Sequence, residues 1–473
     1  MDVHDNQPVA TSDAPATAPQ APCAGRSLSR KGFLKGAAAM AGAVAAGPLT
    51  GTLARVEAVR PGAPFAGVTV RCAFIGGGQY EIMYQSIPLW EKRTGAKVKI
   101  VYKGDGFAID KKLRQDYAAG TVNYDVQWDH TSFFSQYINF LEPLDRYFSA
   151  SELADFTPRI LNAGRRDGHL WLIPRHADIS ALIYRTDLFD DPKEKAAFQK
   201  KYGRPLAPPT NWADYPLLAR WFTRPQKGLY GTQSAGKEEA LTGRFYDVLM
   251  ANGGKFVTAG KATFNSPAGV ASINMFARMY RDGSMPKDMV NYLWDDVAKN
   301  FANGSIAFYT EWYGWYSYFQ DPKSSRVAGK FNLMRQPRGM TPQHSGWAGA
   351  HGFSIPKAAQ HKQAAASLIK FLTSFERAYA EAKLGFLPVH KSVWPRLIAD
   401  ASTSHVPLDT WRLRLAQLQL AEDFTTPPLI AQWIPISNIL YPKLQAVIVG
   451  QADAQTALNS AAEQANAILA HSH

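Results

Sequence analysis

Two short segments of the sequence place a histidine close to a carboxylate. They are Asp129-His130 and His176-Ala177-Asp178. Such groups can bind a metal ion or transfer a proton, because imidazole titrates near neutral pH. The sequence contains no HExxH motif, no metal-ligand spacing of cysteines and histidines, and no GxSxG motif. Since a histidine beside a carboxylate is ordinarily only hydrogen-bonded, we assign no catalytic residue, no metal ligand and no cofactor.

A second set of candidate residues is aromatic. The densest aromatic segment, residues 308–316, reads FYTEWYGWY, and the chain holds 12 Trp and 20 Tyr. Planar side chains can lie against the apolar faces of a small molecule, while a carboxylate accepts hydrogen bonds from its hydroxyl groups. The alternative is that these rings fill the hydrophobic core, since aromatic residues are commonly buried.

Two further places combine groups that suit a ligand. Trp128-Asp129-His130 joins a flat apolar face to two hydrogen-bonding groups, and the alternative there is a helix cap beside a packed Trp. Arg175 could pair with an anionic group of a ligand. Its alternative is a structural salt bridge.

A large, well-cored protein must position these residues. The chain has 473 residues, about three times a typical domain, and is 46% hydrophobic and 19% charged. This composition excludes a disordered, collagenous or coiled-coil protein. Cys23 and Cys72 are the two cysteines, which excludes a disulfide scaffold and a zinc site built on several cysteines.

The N-terminal 58 residues read as a disordered tail followed by an export signal. Residues 1–25 lack apolar periodicity, residues 29–35 read SRKGFLK, and residues 36–49 are small and apolar. A basic region followed by a short apolar region is typical of a secretory signal. The basic segment resembles the twin-arginine motif with Lys31 in place of the second arginine, so both the twin-arginine and the Sec routes stay open. The alternative is an anchoring helix. Export predicts a periplasmic protein.

The chain is basic, but its basic residues are scattered. The formal net charge is +13, and residues 1–58 hold five Lys/Arg and four Asp/Glu, so the remainder keeps +12. The densest basic groups, such as Lys92-Arg93 and Lys111-Lys112, are only pairs. We therefore expect a solvated basic surface and no binding to nucleic acid.

The elements after the signal begin with alternating β and α patterns. Residues 68–75 predict a strand, 80–93 a helix, 98–102 a second strand, 111–119 a helix and 124–128 a third strand. This order is typical of βαβ units on a parallel sheet, which binds ligands at the carboxyl ends of its strands. Gly76-Gly77-Gly78 lacks a nucleotide-binding spacing and predicts only a sharp turn.

Helix starts are predicted further along the chain. Ser266 before Pro267 predicts an N-cap. Asn211 with Asp214, and Thr373 with Glu376, have the spacing of an N-cap and of a capping box.

Several segments, in order, resemble the extracellular solute-binding proteins of ABC importers, in the family that includes the maltose-binding protein. Residues 89–95 (LWEKRTG) are similar to the family's helix end before the second strand, and 124–126 (YDV) to its third strand. The strongest similarity is GHLWLIP at 168–174 followed by LIYRTDLF at 182–189. The other similar segments are 141–145, 209–212, 264–267, 301–308, 364–374 and 385–389.

This resemblance implies an α/β fold of two lobes, the type II periplasmic-binding-protein fold, with a ligand cleft between them. It implies that lobe 1 comprises residues 59–176 and 348–390, and lobe 2 residues 177–347 and 391–473. Hinged closure of the lobes around a ligand is an established kind of conformational change.

The resemblance also implies ligand-contacting aromatic residues in the segment after 301–308. We expect Glu311 to accept hydrogen bonds from hydroxyl groups, and Trp312 and Trp315 to stack on a ligand. Further expected ligand-binding residues lie at strand ends and lobe crossings: Gln79, Tyr80, Trp128, Asp129, His130, Arg175, Asp178 and Trp347.

The expected function is that of a monomeric periplasmic binding protein without catalytic activity. It would capture a carbohydrate or polyol and deliver it to an inner-membrane ABC permease. One alternative is a charged organic solute such as a uronate, which the net charge and Arg175 favour. Another is an exported glycoside-active enzyme, because carboxylates near aromatic residues also describe glycosidase clefts.

Overall fold

One long strand organises the fold of this protein. The structure is a computed structural model that describes residues 63–77, 80–404 and 406–470. The predicted disordered tail, the predicted export signal and Gln79 lie outside the described residues. The strands are β1 (Thr69–Ile75), β2 (Lys97–Gly104), β3 (Val126–His130), β4 (Arg165–Arg166), β5 (His169–Leu170), β6 (Ile173–Arg185), β7 (Val257–Thr258), β8 (Lys261–Ala262), β9 (Phe308–Trp312), β10 (Phe331–Met334), β11 (Gly346–Ser354), β12 (Leu387–Pro388) and β13 (Phe424–Thr425).

Helices surround these strands. They are α1 (Glu81–Thr94), α2 (Gly106–Ala119), α3 (Ala150–Leu153), α4 (Pro158–Ala163), α5 (Thr186–Phe189), α6 (Pro192–Tyr202), α7 (Tyr215–Phe222), α8 (Glu238–Ala251), α9 (Pro267–Arg281), α10 (Trp294–Ala302), α11 (Tyr316–Gln320), α12 (Lys362–Leu372), α13 (Phe375–Ala382), α14 (Val393–Thr403), α15 (Pro407–Glu422), α16 (Trp433–Ile448) and α17 (Ala454–Ala470). Short 3-10 helices cover Phe134–Phe140, Leu144–Arg146, Pro225–Lys227, Lys287–Asn291 and Tyr313–Trp315.

The predicted β-α-β-α-β start is confirmed. Strand β1 pairs in parallel with β2 and with β3, and α1 and α2 connect them. Helix α1 ends at Gly95, whose φ of 74° is the left-handed conformation that glycine adopts without strain. Helix α2 begins at Gly106, earlier than predicted, because the Asp105 side chain accepts a hydrogen bond from the backbone N–H of Ala108.

Strand β6 connects two parts of the main sheet. The sheet order is β10-β6-β11-β3-β1-β2, with β9 and β12 also paired to β6, and β13 to β11. Residues 173–179 of β6 pair with β11, and residues 180–184 pair with β9. The strand therefore leaves the part of the sheet that contains β1 to β3 and continues beside β9 and β10.

The two parts of the sheet carry different helices. Helix α1 packs on α12 and α13 near β1 and β2, whereas α8, α9, α16 and α17 pack on one another after the chain has passed along β6. The described residues belong to one compact unit, so the boundaries of the lobes stay a prediction. Within the described residues, no helix has the length and apolar character needed to cross a membrane.

The predicted helix caps had mixed outcomes. Ser266 caps α9 as predicted, since its side chain accepts from the backbone N–H of Gly269. The capping box at Thr373 is wrong, because the Thr373 hydroxyl donates to the carbonyl of Ile369 and α13 starts after Ser374. The cap at Asn211 is also wrong, because Asn211 forms a turn with Asp214, and α7 begins only after that residue.

Candidate functional site

A row of ring side chains crosses neighbouring strands where β6 passes from one part of the sheet to the other. His130 of β3 pairs with His351 of β11, which in turn pairs with His176 of β6. Directly paired residues point to the same face of a sheet. The rings of His130 and His351 are 4.8 Å apart, those of His176 and His351 are stacked at 4.4 Å, and Trp128 lies 5.4 Å from His351.

Asp178 lies beside this row, because it follows His176 by two residues along the strand and shares its face. Its Oδ2 atom is 2.8 Å from Nε2 of His351 and 3.8 Å from Nε2 of His176. A glycine stands opposite Asp178 at position 349, where a Cβ atom would lie 2.6 Å from the His130 ring. The absence of a side chain at Gly349 thus leaves room for the His130 ring.

His176, Asp178 and His351 are close enough to be considered as metal ligands, with ligand atoms within 4.8 Å of one another. The hydrogen bonds argue for another interpretation. Arg175 can only donate, and its Nη1 lies 3.1 Å from Nδ1 of His176, so that nitrogen accepts. A neutral His176 then carries its proton on Nε2 and turns an N–H, not a lone pair, toward Asp178. The geometry therefore fits a hydrogen-bonded group better than a metal site.

Two histidines of this group, His130 and His176, are held in the neutral form. Burial, together with the neighbouring His351, lowers the pKa of His130 and of His176 well below the usual value. Arg175 and His130 lower the pKa of His176 further. His176 therefore turns an N–H toward Asp178 without adding positive charge.

A second cluster lies next to the first and consists of three indoles around one arginine. The guanidinium of Arg244, on α8, lies 5.3 Å from the ring centroid of Trp294, 5.0 Å from that of Trp312 and 5.5 Å from that of Trp347. The ring centroids of the indoles lie 4.9 to 5.7 Å apart, and their ring planes are steeply inclined to one another. Cation–π attraction at these distances favours this arrangement. We call these four residues the indole cage.

Two carboxylates accompany Arg244. Glu311 lies 3.5 Å from Nη2, and Asp247 lies 3.8 Å from Nη1. Burial raises the pKa of Glu311 to about 7 and that of Asp247 to about 6, against the opposing effect of Arg244. The charge of Asp178 also raises the pKa of Glu311, so the two clusters are electrostatically coupled.

Asp247 fixes the cage to the crossing strands. Its Oδ1 accepts from the backbone N–H of Trp347 at 2.8 Å, and its Oδ2 accepts from the Ser180 hydroxyl and the Gln336 amide at 3.1 and 2.8 Å. Because Ser180 belongs to β6 and Trp347 to β11, one carboxylate holds helix α8 against both strands. The cage therefore has a fixed position relative to Asp178.

Five of the predicted site residues lie in these two clusters. The structure brings together Trp128, His130 and Asp178 in the first cluster, and Trp312 and Trp347 in the indole cage. Glu311 lies beside Arg244 as its ionic partner, and its backbone neighbour Trp312 donates an N–H to its Oε1 at 2.8 Å. The Trp315 ring packs on Tyr318, with ring centroids 5.9 Å apart, and makes no ring contact with the cage among the described residues.

Arg175 and Tyr80 lie at the edge of the first cluster. The Arg175 side chain is 1% exposed, and it forms a buried ion pair with Glu381 at 2.9 Å. Its guanidinium also lies 5.5 Å from the ring of Tyr80, whose hydroxyl is 3.5 Å from Nδ1 of His351. The salt bridge that we considered as the alternative for Arg175 is thus present in the structure.

Asp129 lies away from the other predicted residues. Strand alternation turns it to the face opposite Trp128 and His130, where Gln127 donates to it at 3.0 Å. It is buried, and burial raises its pKa to about 8. The structure therefore gives Asp129 a place in the interior.

Sequence reasoning did not select Arg244, Trp294 or His351. His351 could have been found, because it follows Trp347 by four residues on one strand and therefore shares its face. Arg244 lies inside a helix without a motif, and Trp294 starts another helix. Their proximity depends on tertiary packing.

Comparison with known proteins agrees with this architecture. The family described as "Bacterial extracellular solute-binding protein" matches residues 77–376, and the chain belongs to this family. A protein of Brucella abortus (strain 2308), named only as a binding protein, is 24% identical over 365 residues, which cover 76% of this chain and 82% of that protein.

Two solved structures show the same two-lobe fold. One is an ABC transporter solute-binding protein of Agrobacterium radiobacter K84 in complex with ribitol, with a TM-score of 0.75 and 24% identity, covering 86% of this chain and 100% of that one. The other is maltose-bound MalE3 of T. maritima, with a TM-score of 0.73 and 23% identity, covering 85% of this chain and 100% of that one. The predicted fold class is confirmed.

Proposed function

We propose that this protein is the periplasmic solute-binding component of an ABC importer, and that it captures a carbohydrate or polyol for an inner-membrane permease. The observation that carries this proposal is the indole cage beside Asp178 at the strands that connect the two parts of the sheet. Indoles provide large, rigid apolar contact area, while Asp178 and Arg244 offer an acceptor and a donor for hydroxyl groups.

The family and its neighbours support this ligand class. The chain belongs to an extracellular solute-binding family, and the two solved structures above contain a polyol and a sugar. The basic and apolar N-terminal segment supports export through the Sec or twin-arginine route. A protein with this role acts as a monomer and performs no chemistry on its ligand.

Closure of two lobes fits the packing of the site. Asp178 and His351 retain 16% side-chain exposure each, whereas Glu311, Arg244 and Trp347 are almost fully buried. A solute would reach them when the lobes separate at the crossing strands and would be enclosed when they return. The lobe boundaries at residues 176/177, 347/348 and 390/391 belong to this proposal.

Titration calorimetry on the purified protein tests the proposal. The panel consists of monosaccharides, disaccharides, oligosaccharides and polyols, including maltose and ribitol. We expect at least one to bind with a dissociation constant well below millimolar. The Trp312→Ala variant should bind it at least about tenfold more weakly, since it loses one stacking face.

A matched variant distinguishes the loss of a ligand contact from the general effect of removing an indole. Trp411 is exposed and lies on α15, outside both clusters, so Trp411→Ala should keep the affinity of the unmodified protein. Failure to bind any member of the panel would overturn the carbohydrate assignment. Turnover of chromogenic glycosides would overturn the assignment as a binding protein.

A further inference from the structure

We propose that the site selects neutral solutes and rejects their acidic derivatives, and that Asp178 is the residue that determines this selectivity. The inference rests on the proposed function, because it concerns the ligand of the same site. It runs against the expectation from net charge, since a chain of +13 would favour anions.

The two arginines near the site are already paired with carboxylates of the protein. Arg175 pairs with Glu381 through its Nε and Nη2 atoms at 3.1 and 2.9 Å. Arg244 lies within 3.8 Å of both Glu311 and Asp247. In each case the counter-ion comes from the protein itself, so a carboxylate on the solute would have to compete with a buried partner.

Asp178, in contrast, has no arginine or lysine partner among the described residues. The groups that contact its carboxylate are the imidazoles of His351 and His176, both through Oδ2. Oδ1 has no hydrogen bond to the residues that the structure describes, and the side chain keeps 16% exposure. This oxygen is a fixed acceptor, suited to an O–H group of a solute and unsuited to a second carboxylate.

Unpaired donors in the two clusters add to the preference for hydroxyl groups. The indole N–H of Trp128 and the Nη1 atom of Arg244 are buried and have no hydrogen-bond partner within the described part of the chain. A hydroxyl group both donates and accepts, so a polyhydroxylated solute can satisfy these donors and Asp178 together. A carboxylate could satisfy only the donors, and it would approach Asp178 as a like charge at low dielectric.

The test compares the tightest-binding neutral member of the panel with its own carboxylate derivative, such as ribitol with ribonate or maltose with maltobionate. In the unmodified protein we expect the acid to bind at least about tenfold more weakly, which corresponds to about 1.4 kcal/mol. In the Asp178→Asn variant, the affinity for the neutral solute falls, and the difference between the two solutes shrinks to about threefold or less.

The Asp190→Asn variant is the control. Asp190 is exposed and pairs with Lys195, so its substitution changes the net charge by the same amount and should leave the selectivity unchanged. If Asp178 has only a structural role, Asp178→Asn weakens the binding of both solutes equally and the ratio of their dissociation constants stays the same. That result would overturn the inference.

The unmodified protein provides a result even if Asp178→Asn does not fold. An acid that binds as tightly as its neutral partner, or more tightly, would overturn the inference while leaving the proposed function intact. If neither sugars, polyols nor their acids bind, the proposed function itself fails.

Discussion

The indole of Trp347 lies directly against Gly243 of helix α8, so closely that a Cβ atom at position 243 would stand 2.0 Å from the ring. Glycine inside a helix ordinarily costs about 1 kcal/mol relative to alanine. Here the missing side chain creates the space in which Trp347 reaches Arg244 and the other indoles of the cage.

We therefore expect Gly243→Ala to lower both stability and solute affinity, although alanine is the better helix former. The indole must move or α8 must shift, and a strained core substitution of this kind costs about 1 to 3 kcal/mol. Urea denaturation and calorimetry measure the two effects. Gly314→Ala is the control, because a Cβ atom there meets nothing within 4 Å. A Gly243→Ala protein with higher stability and unchanged affinity would contradict this account of the cage.

The buried ion pair between Arg175 and Glu381 predicts a large loss of stability when one partner is neutralised. Both side chains are less than 5% exposed, so Glu381→Gln leaves a buried guanidinium without its counter-ion. The expected loss in the free energy of unfolding is about 3 to 5 kcal/mol.

The matched variant Glu152→Gln removes a carboxylate from the exposed pair with Lys370 and should cost less than about 1 kcal/mol. Equal, small losses in both variants would show that Arg175 does not depend on Glu381.

His176 predicts a pH dependence of stability with a definite sign. Its pKa is lowered in the folded protein, so the unfolded chain binds more protons as pH falls below about 6.5. The unmodified protein should therefore lose stability relative to His176→Gln on acidification, by up to about 1.4 kcal/mol per pH unit. Urea denaturation between pH 5 and pH 8 on the two proteins measures this difference. Above about pH 7, the free energies of unfolding of the two proteins should change with pH in the same way. The prediction is refuted if they do so over the whole range from pH 5 to pH 8.

Asp129 predicts a pH dependence of stability that is opposite in sign to that of His176. Burial raises its pKa to about 8, so between the unfolded value near 4 and this value the folded protein holds a proton that unfolding releases. Stability of the unmodified protein should fall relative to Asp129→Asn as pH rises through this interval. Chemical denaturation at about pH 5 and about pH 8 gives the comparison. If the difference in the free energy of unfolding between the two proteins is the same at both pH values, the prediction is wrong. Asp129 would then be ionised in the folded protein, in contact with a donor or with solvent.

Local sequence signals predicted the elements that depend on neighbours in the chain. The first strands and helices and the Ser266 cap follow from hydrophobic alternation, glycine stops and a serine before proline. Thr373 shows the limit of such signals, because its hydroxyl bonds back to the preceding helix instead of capping the next one. The spacing of the residues alone does not distinguish these two hydrogen bonds.

The site was predictable only in part, for a similar reason. The structure places five predicted residues in the two clusters. They come from predicted strand ends, lobe crossings and the aromatic segment: Trp128, His130, Asp178, Trp312 and Trp347. The partners of Arg244 come from β9, β11 and α10, and no pattern within α8 indicates them. Asp129 was expected beside its chain neighbours, but strand alternation turns it to the other face.

The crystal structure of the protein with its bound sugar or polyol tests the central claim most directly. The account predicts a solute enclosed at the crossing strands, with a hydroxyl group within hydrogen-bond distance of Asp178 and a face against an indole of the cage. A solute bound elsewhere, touching neither Asp178 nor any of Trp294, Trp312 and Trp347, would contradict it.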